Sequence, residues 1–357
     1  MEYTDTTKER PDMIQRTIDD TQFLQRRETE EYLRSLCVEG YPKRQKEFWK
    51  RDYSSPESFL TSVESNRQRW EQALGSFQPE GDFVAEEEPF LEDEKVVARW
   101  IRVRFAQNLY CRAVFALPKK RAGKLPLVIA QHGIACSPER VFGFLDEGNL
   151  YHSYGYRLAK DGFAVIAPLN ITTVERKRYG RLALLLGKTL AGLEISKLKR
   201  LLDYASTLPE IDAEKVAMWG ISLGGYYTLL TLPLEPRIKT GISCAFFNHR
   251  LKKMVIDDPR YSSFLSTEEE HIFIPGWLRE FTDSDLVSLI CPRPFMVQTG
   301  KADGVSWWPF VLEEFTVAKE HYEKLGLADH IQMNLHSGGH EIRYESGLAF
   351  LKKWLSR

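Results

Sequence analysis

Val216-Ala217-Met218-Trp219-Gly220-Ile221-Ser222-Leu223-Gly224-Gly225 joins a short apolar run to the pattern G-x-S-x-G, and a helix-compatible segment, Tyr226 to Leu232, follows. The context carries more weight than the pattern, because strand, sharp turn and helix around the serine describe a nucleophile elbow. Such a turn holds Ser222 in a strained backbone conformation. Cβ groups two residues to either side would strike the neighbouring strand and helix, and Gly220 and Gly224 remove them. The competing reading is an ordinary strand-to-helix turn whose serine has no chemical role.

A nucleophilic serine needs a base, since a free hydroxyl is almost never ionised at neutral pH, and the base needs an orienting acid. Gln298-Thr299-Gly300-Lys301-Ala302-Asp303-Gly304 places a carboxylate after an apolar strand, and His336-Ser337-Gly338-Gly339-His340-Glu341 places a histidine in a glycine-rich loop near the end. The order Ser222, Asp303, His340 fits, with each residue after a strand. His336 competes with His340 but ends the strand instead of occupying the loop. His249 precedes the acid and is a candidate pocket wall. His152, His271, His321 and His330 read as surface groups. Charge that develops on a substrate oxygen needs backbone donors aimed at it in advance. The N–H of Leu223 is one, and the loop Gln131-His132-Gly133-Ile134-Ala135 offers the N–H of Ile134 as the second.

From residue 95 the texture alternates. Strands are expected at 95–103, 109–117, 125–130, 163–168, 216–219, 240–247, 294–299 and 331–335, with helices at 151–161, 182–208, 308–326 and the chain end. That alternation predicts an α/β fold with a mostly parallel central sheet covered by helices on both faces. Residues 1–92 read as a helical N-terminal extension packed on the main body, 93–357. Ser55-Pro56-Glu57 is a helix start, and Phe59, Leu60, Val63, Trp70 and Leu74 recur at helical spacing. Asp82 to Glu94, with seven carboxylates, reads as a solvated linker or a strand edge. Residues 249–288 read as an irregular, cap-like insert rich in apolar residues (Tyr261, Phe264, Ile272, Phe273, Ile274, Trp277). Trp307-Trp308 reads as core packing, and Arg176-Lys177-Arg178-Arg181 as a solvated basic patch.

The 357 residues, 43% of them hydrophobic, suffice for a large core, and a formal charge of −1 gives no footprint for nucleic acid or an anionic membrane. No apolar run approaches a membrane span. The polar start Met1-Glu2-Tyr3-Thr4-Asp5 carries no secretory signal, and five scattered cysteines without a C-x-x-C pair suit a reducing compartment, so a cytoplasmic protein is expected. No metal-ligand or dinucleotide pattern appears, so neither metal nor cofactor is expected. The sequence is compatible with a homo-oligomer.

On His132-Gly133, the Gly220–Gly224 elbow, Asp303 and His340, residues from about 95 onward resemble the α/β-hydrolase superfamily. Within it, Gln131-His132-Gly133, Leu186-Gly187-Lys188-Thr189-Leu190-Ala191-Gly192 and Leu208-Pro209-Glu210-Ile211-Asp212 are most similar to acetyl-xylan-esterase-like and dienelactone-hydrolase-like carboxylesterases. The resemblance implies a serine hydrolase acting on a small-molecule carboxylic ester, of small acyl or carbohydrate type, through an acyl-enzyme. A recognisable sugar-binding module is missing. Carbon–carbon or peptide hydrolysis by the same three residues, or a catalytically silent scaffold, are the alternatives, because one fold hosts many chemistries.

Overall fold

The apolar runs of the central strands have no polar side to turn toward water, and both their faces are buried. In the strand Leu125–Gln131, Leu127 and Ile129 enter one hydrophobic core while Val128 and Ala130 enter a second on the opposite face. The computed structural model describes residues 9–82, 84–172 and 175–356, with side chains from residue 14 onward. The reading of Met1–Asp5 lies outside these residues.

Nine strands form one sheet: β1 (Ala85–Glu92), β2 (Val96–Ala106), β3 (Leu109–Pro118), β4 (Leu125–Gln131), β5 (Ala164–Pro168), β6 (Ile211–Ile221), β7 (Ile238–Cys244), β8 (Phe295–Gly300) and β9 (Ile331–His336), in the order β1-β2-β3-β5-β4-β6-β7-β8-β9. The pairs β1–β2, β2–β3 and β3–β5 are antiparallel, and all later pairs are parallel. The chain leaves β4 toward β5 on one side and returns to β6 on the other. That reversal opens a crevice at the carboxyl ends of β4 and β6, where ligands of such sheets bind. The carboxylate-rich segment forms the edge strand β1. Its Glu86 pairs with Arg102 and its Glu87 with Arg99, and Pro89 and the charges blunt the edge.

Among the described residues the N-terminal segment holds four helices: α1 (Glu9–Cys37), α2 (Tyr41–Phe48), α3 (Pro56–Ser62) and α4 (Glu64–Leu74). The start of α3 is as expected, with Pro56 at its first position and the Ser55 hydroxyl accepting the Ser58 N–H at 3.1 Å. One face of the sheet carries α5 (Pro138–Val141), α6 (Tyr154–Lys160) and α14 (Tyr344–Leu355). The other carries α8 (Leu190–Ala205), α9 (Leu223–Thr231), α12 (Asp283–Ile290) and α13 (Trp308–Lys324). The single helix expected over 182–208 is two, α7 (Arg176–Leu184) and α8. Gly187 turns the chain at φ 67°, and Thr189 caps α8 through the Gly192 N–H. A tertiary contact reinforces this local break, since Thr189 also binds the Leu74 carbonyl through both its N–H and its hydroxyl. The insert is likewise more regular than expected, with α10 (Arg250–Val255), α11 (Trp277–Glu280) and the start of α12 inside it.

The N-terminal helices are anchored on that insert. Trp70 is fully buried against Trp277 and Phe281, and its indole N–H reaches the Leu230 carbonyl. The Trp49 indole donates to the Glu280 carbonyl at 2.7 Å, and Arg51 meets the buried Asp285. By contrast, Ile14, Ile18, Phe23, Tyr32 and Leu33 of α1 are exposed. No helix among the described residues is long and apolar enough to cross a membrane. Truncating the buried indole leaves a cavity and an orphaned carbonyl, so Trp70→Ala is expected to lower stability by about 3–5 kcal/mol in urea unfolding.

Candidate active site

Ser222 sits at the turn between β6 and α9 with φ 57° and ψ −119°, a strained conformation for a residue with a side chain. Its N–H donates to Cys244 O and its carbonyl accepts the Tyr226 N–H, both at 2.9 Å. The glycines are needed for the reason the pattern implies. A Cβ on Gly220 would lie 2.2 Å from Gly224 O, and one on Gly224 would lie 2.2 Å from Gln131 O. The second contact matters more, since it lets the start of α9 touch the end of β4.

Ser222 opens onto a cavity of about 420 Å³ whose walls include Ile134, Tyr151, Leu223, Phe246, Phe264, Glu269, His271 and His340. Across it, His340 Nδ1 and Asp303 Oδ2 are 2.9 Å apart, with the Asp303 side chain fully buried. The other carboxylate oxygen accepts the Val305 N–H at 2.9 Å, so Asp303 is held at both ends. Its loop and the histidine loop are joined by main-chain bonds, Lys301 N–H to His336 O at 2.8 Å and Ala302 N–H to Gly338 O at 3.0 Å. A Cβ on Gly300 would come within 2.3 Å of two carbonyls of that loop. The structure therefore brings Ser222 and His340 to one cavity, with Asp303 buried against the histidine. His336 is turned elsewhere, its Nδ1 accepting from Gly338 and Arg343.

The two candidate donors are arranged by the chain around them. Leu223 opens α9, where an N–H has no intrahelical partner. Ile134 shares a peptide unit with the Gly133 carbonyl, and in a trans peptide C=O and N–H point opposite ways. His132 Nδ1–H donates to that carbonyl at 2.8 Å, while its Nε2 accepts the Asn170 N–H at 3.2 Å. The Tyr151 hydroxyl takes the Gly133 N–H at 2.9 Å. The Gly133 carbonyl is thus fixed toward His132, and the Ile134 N–H faces the opposite way. Among the described residues neither Leu223 nor Ile134 spends its N–H on a protein acceptor.

Several expected surface groups are structural. Arg176 is buried, not solvated, in an ion pair with Glu194 at 3.0 Å and a bond to the Tyr227 hydroxyl. Glu194 also holds the Ile171 N–H, so the pair braces the loop whose Thr172 carbonyl takes the Ala135 N–H. The other expected patch members behave as read, with Lys177 and Arg181 in exposed pairs with Glu268 and Glu270. His271 and His321 are buried, contrary to a surface reading, because the insert folds His271 over the cavity and Tyr53 seals His321. His249 does not reach the cavity and faces Glu313 and Phe310. Trp307 and Trp308 are only half-buried and belong to no core, with Trp307 between Arg260 and Phe310. Of the insert's apolar residues, Phe264 and Ile272 line the cavity, whereas Trp277 packs under Trp70.

Sequence reasoning missed Tyr151 and Lys253. Tyr151 reads as the first residue of a helix, but His152 and Ser153 have φ near 50° and turn the chain before α6 begins. Lys253 is buried on α10, and its ammonium donates to the carbonyl and hydroxyl of Ser262 and, at 2.6 Å, to Val305 O. It ties the insert to the residue whose N–H holds Asp303.

Burial pushes the His132 imidazole from an ordinary 6.5 down to about 4. Its stabilising contribution is complete above pH 6.5 and is lost as pH falls toward 4, because the unfolded chain takes up the proton first. Between pH 7 and 5 this group alone is expected to remove about 2 kcal/mol of stability. His132→Asn should flatten the measured pH dependence by that amount.

No protein-family profile matches the chain. Over 262 residues it is 27% identical to YtaP of Bacillus subtilis (strain 168), a protein provisionally named a hydrolase, and the match spans 68% of this chain and 83% of that one. A solved structure from Bacteroides fragilis NCTC 9343, provisionally named an acetyl xylan esterase, superposes with a TM-score of 0.65 at 16% identity, over 80% of this chain and 79% of the other. A glucuronoyl esterase from Solibacter usitatus gives a TM-score of 0.65 at 16% identity, over 84% and 94%. At such identities the likeness speaks to architecture, and it agrees with the strand order and the elbow after β6: the protein has the α/β-hydrolase fold.

Proposed function

We propose that the protein is a serine hydrolase that cleaves carboxylic esters, of small acyl or carbohydrate type, through an acyl-enzyme. The observation that carries this reading is the 2.9 Å bond between His340 Nδ1 and the buried Asp303, across one cavity from Ser222. Asp303 fixes the tautomer that leaves His340 Nε2 as a base. His340 takes the Ser222 proton as Oγ attacks the ester carbonyl, then delivers it to the departing alcohol. The N–H groups of Leu223 and Ile134 stabilise the oxyanion. Water then attacks the acyl-enzyme by the same route. Among the described residues no hydrogen bond joins Ser222 to His340, and in such enzymes that contact commonly forms only when substrate binds. The esterase names of the structural neighbours favour an ester over a carbon–carbon or peptide bond as the substrate.

A fluorophosphonate probe is expected to label the wild-type protein and not Ser222→Ala, and the wild type is expected to turn over short p-nitrophenyl esters. Absence of labelling would leave a silent scaffold. Labelling with amide or diketone turnover but no ester turnover would overturn the ester reading. His340→Ala is expected to lower kcat by about 10⁴-fold or more, because such residues act as a unit.

Lys253 acts at one remove, through Val305. Lys253→Met is expected to lower kcat by about 10²-fold with KM little changed, the scale of a small misplacement at a reacting group. Steady-state kinetics with p-nitrophenyl acetate would reveal this, and an unchanged kcat would show that Asp303 holds its position without the lysine.

A further inference from the structure

Ester hydrolysis as derived above leaves one charged group of the cavity wall without a task. Glu269 is half-buried and lines both the 420 Å³ cavity in front of Ser222 and an adjoining one of about 630 Å³, which it shares with Ile134, Thr172, Lys177 and His271. Its neighbours on either side, Glu268 and Glu270, are exposed and paired with Lys177 and Arg181. Among the described residues the Glu269 carboxyl has no hydrogen bond or ion pair; only its backbone is engaged, the N–H by the Thr267 hydroxyl and the carbonyl by the Ile272 N–H.

The nearby cations are already committed. Lys253 donates to Ser262 and Val305, and Arg176 is held by Glu194, Tyr227 and the Ile171 carbonyl. His271, buried beside Glu269 on the same two cavity walls, forms no hydrogen bond among the described residues. Burial, with Arg176 nearby, drives its pKa down to about 3, so the ring is neutral and presents one donor and one acceptor. Desolvation likewise raises the Glu269 pKa, against the pull of Lys253 and Arg176. A partly desolvated carboxyl without a partner gains more from a donor than a solvated one does, and it repels an anion more strongly.

We propose that Glu269, with His271 beside it, is a specificity subsite for a hydrogen-bond-donating, non-anionic substituent, a hydroxyl or a protonated amine, on the part of the substrate that reaches from Ser222 into the adjoining cavity. Esters bearing a carboxylate at that position are excluded. The inference rests on the serine-hydrolase reading and adds to it the charge and hydrogen-bonding character of the substrate.

The test compares the rates at which three alkyl fluorophosphonates, alike except for an ammonium, hydroxyl or carboxylate tail, inactivate the full-length protein. Wild type is expected to react with the ammonium and hydroxyl compounds at least about tenfold faster than with the carboxylate. Glu269→Gln, which keeps the shape and removes the charge, is expected to lose most of the ammonium-over-carboxylate preference, and Glu269→Leu most of the hydroxyl preference as well. Whether the ammonium or the hydroxyl compound reacts faster identifies the natural donor. Equal wild-type rates for all three tails, or a preference that survives both substitutions, would overturn the subsite while leaving Ser222 a nucleophile. Failure of all three compounds to modify Ser222 would overturn the serine-hydrolase reading and this inference with it.

Discussion

Contact of backbone against backbone at the carboxyl edge of the sheet is the constraint on which the site depends. The start of α9 can lie on the end of β4 only because Gly224 has no side chain, and the acid loop can lie on the histidine loop only because Gly300 has none. At each place an added Cβ would sit about an ångström inside the normal limit, against a carbonyl that has no side-chain freedom with which to retreat. The spacing between the serine, the two N–H groups and the imidazole is therefore set by main chain. Side chains then lock orientation: His132 and Tyr151 fix a peptide plane, and Asp303 fixes a ring.

The insert over the cavity is held by charges that face inward. Arg250 and Asp283, neither with any exposed side-chain surface, bond bidentately at 2.7 Å, and Asp283 also receives the Asn248 N–H. A buried pair of this kind is weak evidence for stability but strongly specifies geometry, since breaking it strands a charge. Arg250 and Asp283 brace the insert internally, and Lys253, one turn further along α10, attaches it to the acid loop through the Val305 carbonyl. The N-terminal helices press on it from outside through Trp49 and Trp70. The wall of the cavity and the packing of the amino-terminal segment are consequently linked through one short stretch of chain.

The elements that create their own local signal were legible in the sequence. Apolar runs buried on both faces read as strands, and G-x-S-x-G, Asp303 and His340 stood where the order of strands puts them. Most of what escaped depends on contacts distant in the chain. The break between α7 and α8 is the exception: Gly187 and Thr189 are themselves a local signal for it, and the bond of Thr189 to Leu74 fixes it in place. Arg176 reads as one of four basic residues, and only the burial of Glu194 separates it from its neighbours. Glu269 sits in a run of three glutamates, and nothing in that run says which of them turns inward. Tyr151 is found only when the left-handed turn after it is known.

Ser222 is not alone in its conformation. Ala135, in the loop after β4, and Ala245, just beyond the end of β7, also have φ near 53° although neither is glycine, so the segments that follow three neighbouring strands each carry a residue with positive φ. Each such residue stores on the order of 1 kcal/mol that the rest of the fold must offset. The edge of the sheet beneath the site thus concentrates backbone strain, as does the turn before α6 with His152 and Ser153. Heat-tolerant descendants of this sequence would find easy gains there, by substituting glycine at the two alanines, and would blunt the rigidity that aims the serine. Durability and reactivity draw on the same few backbone angles.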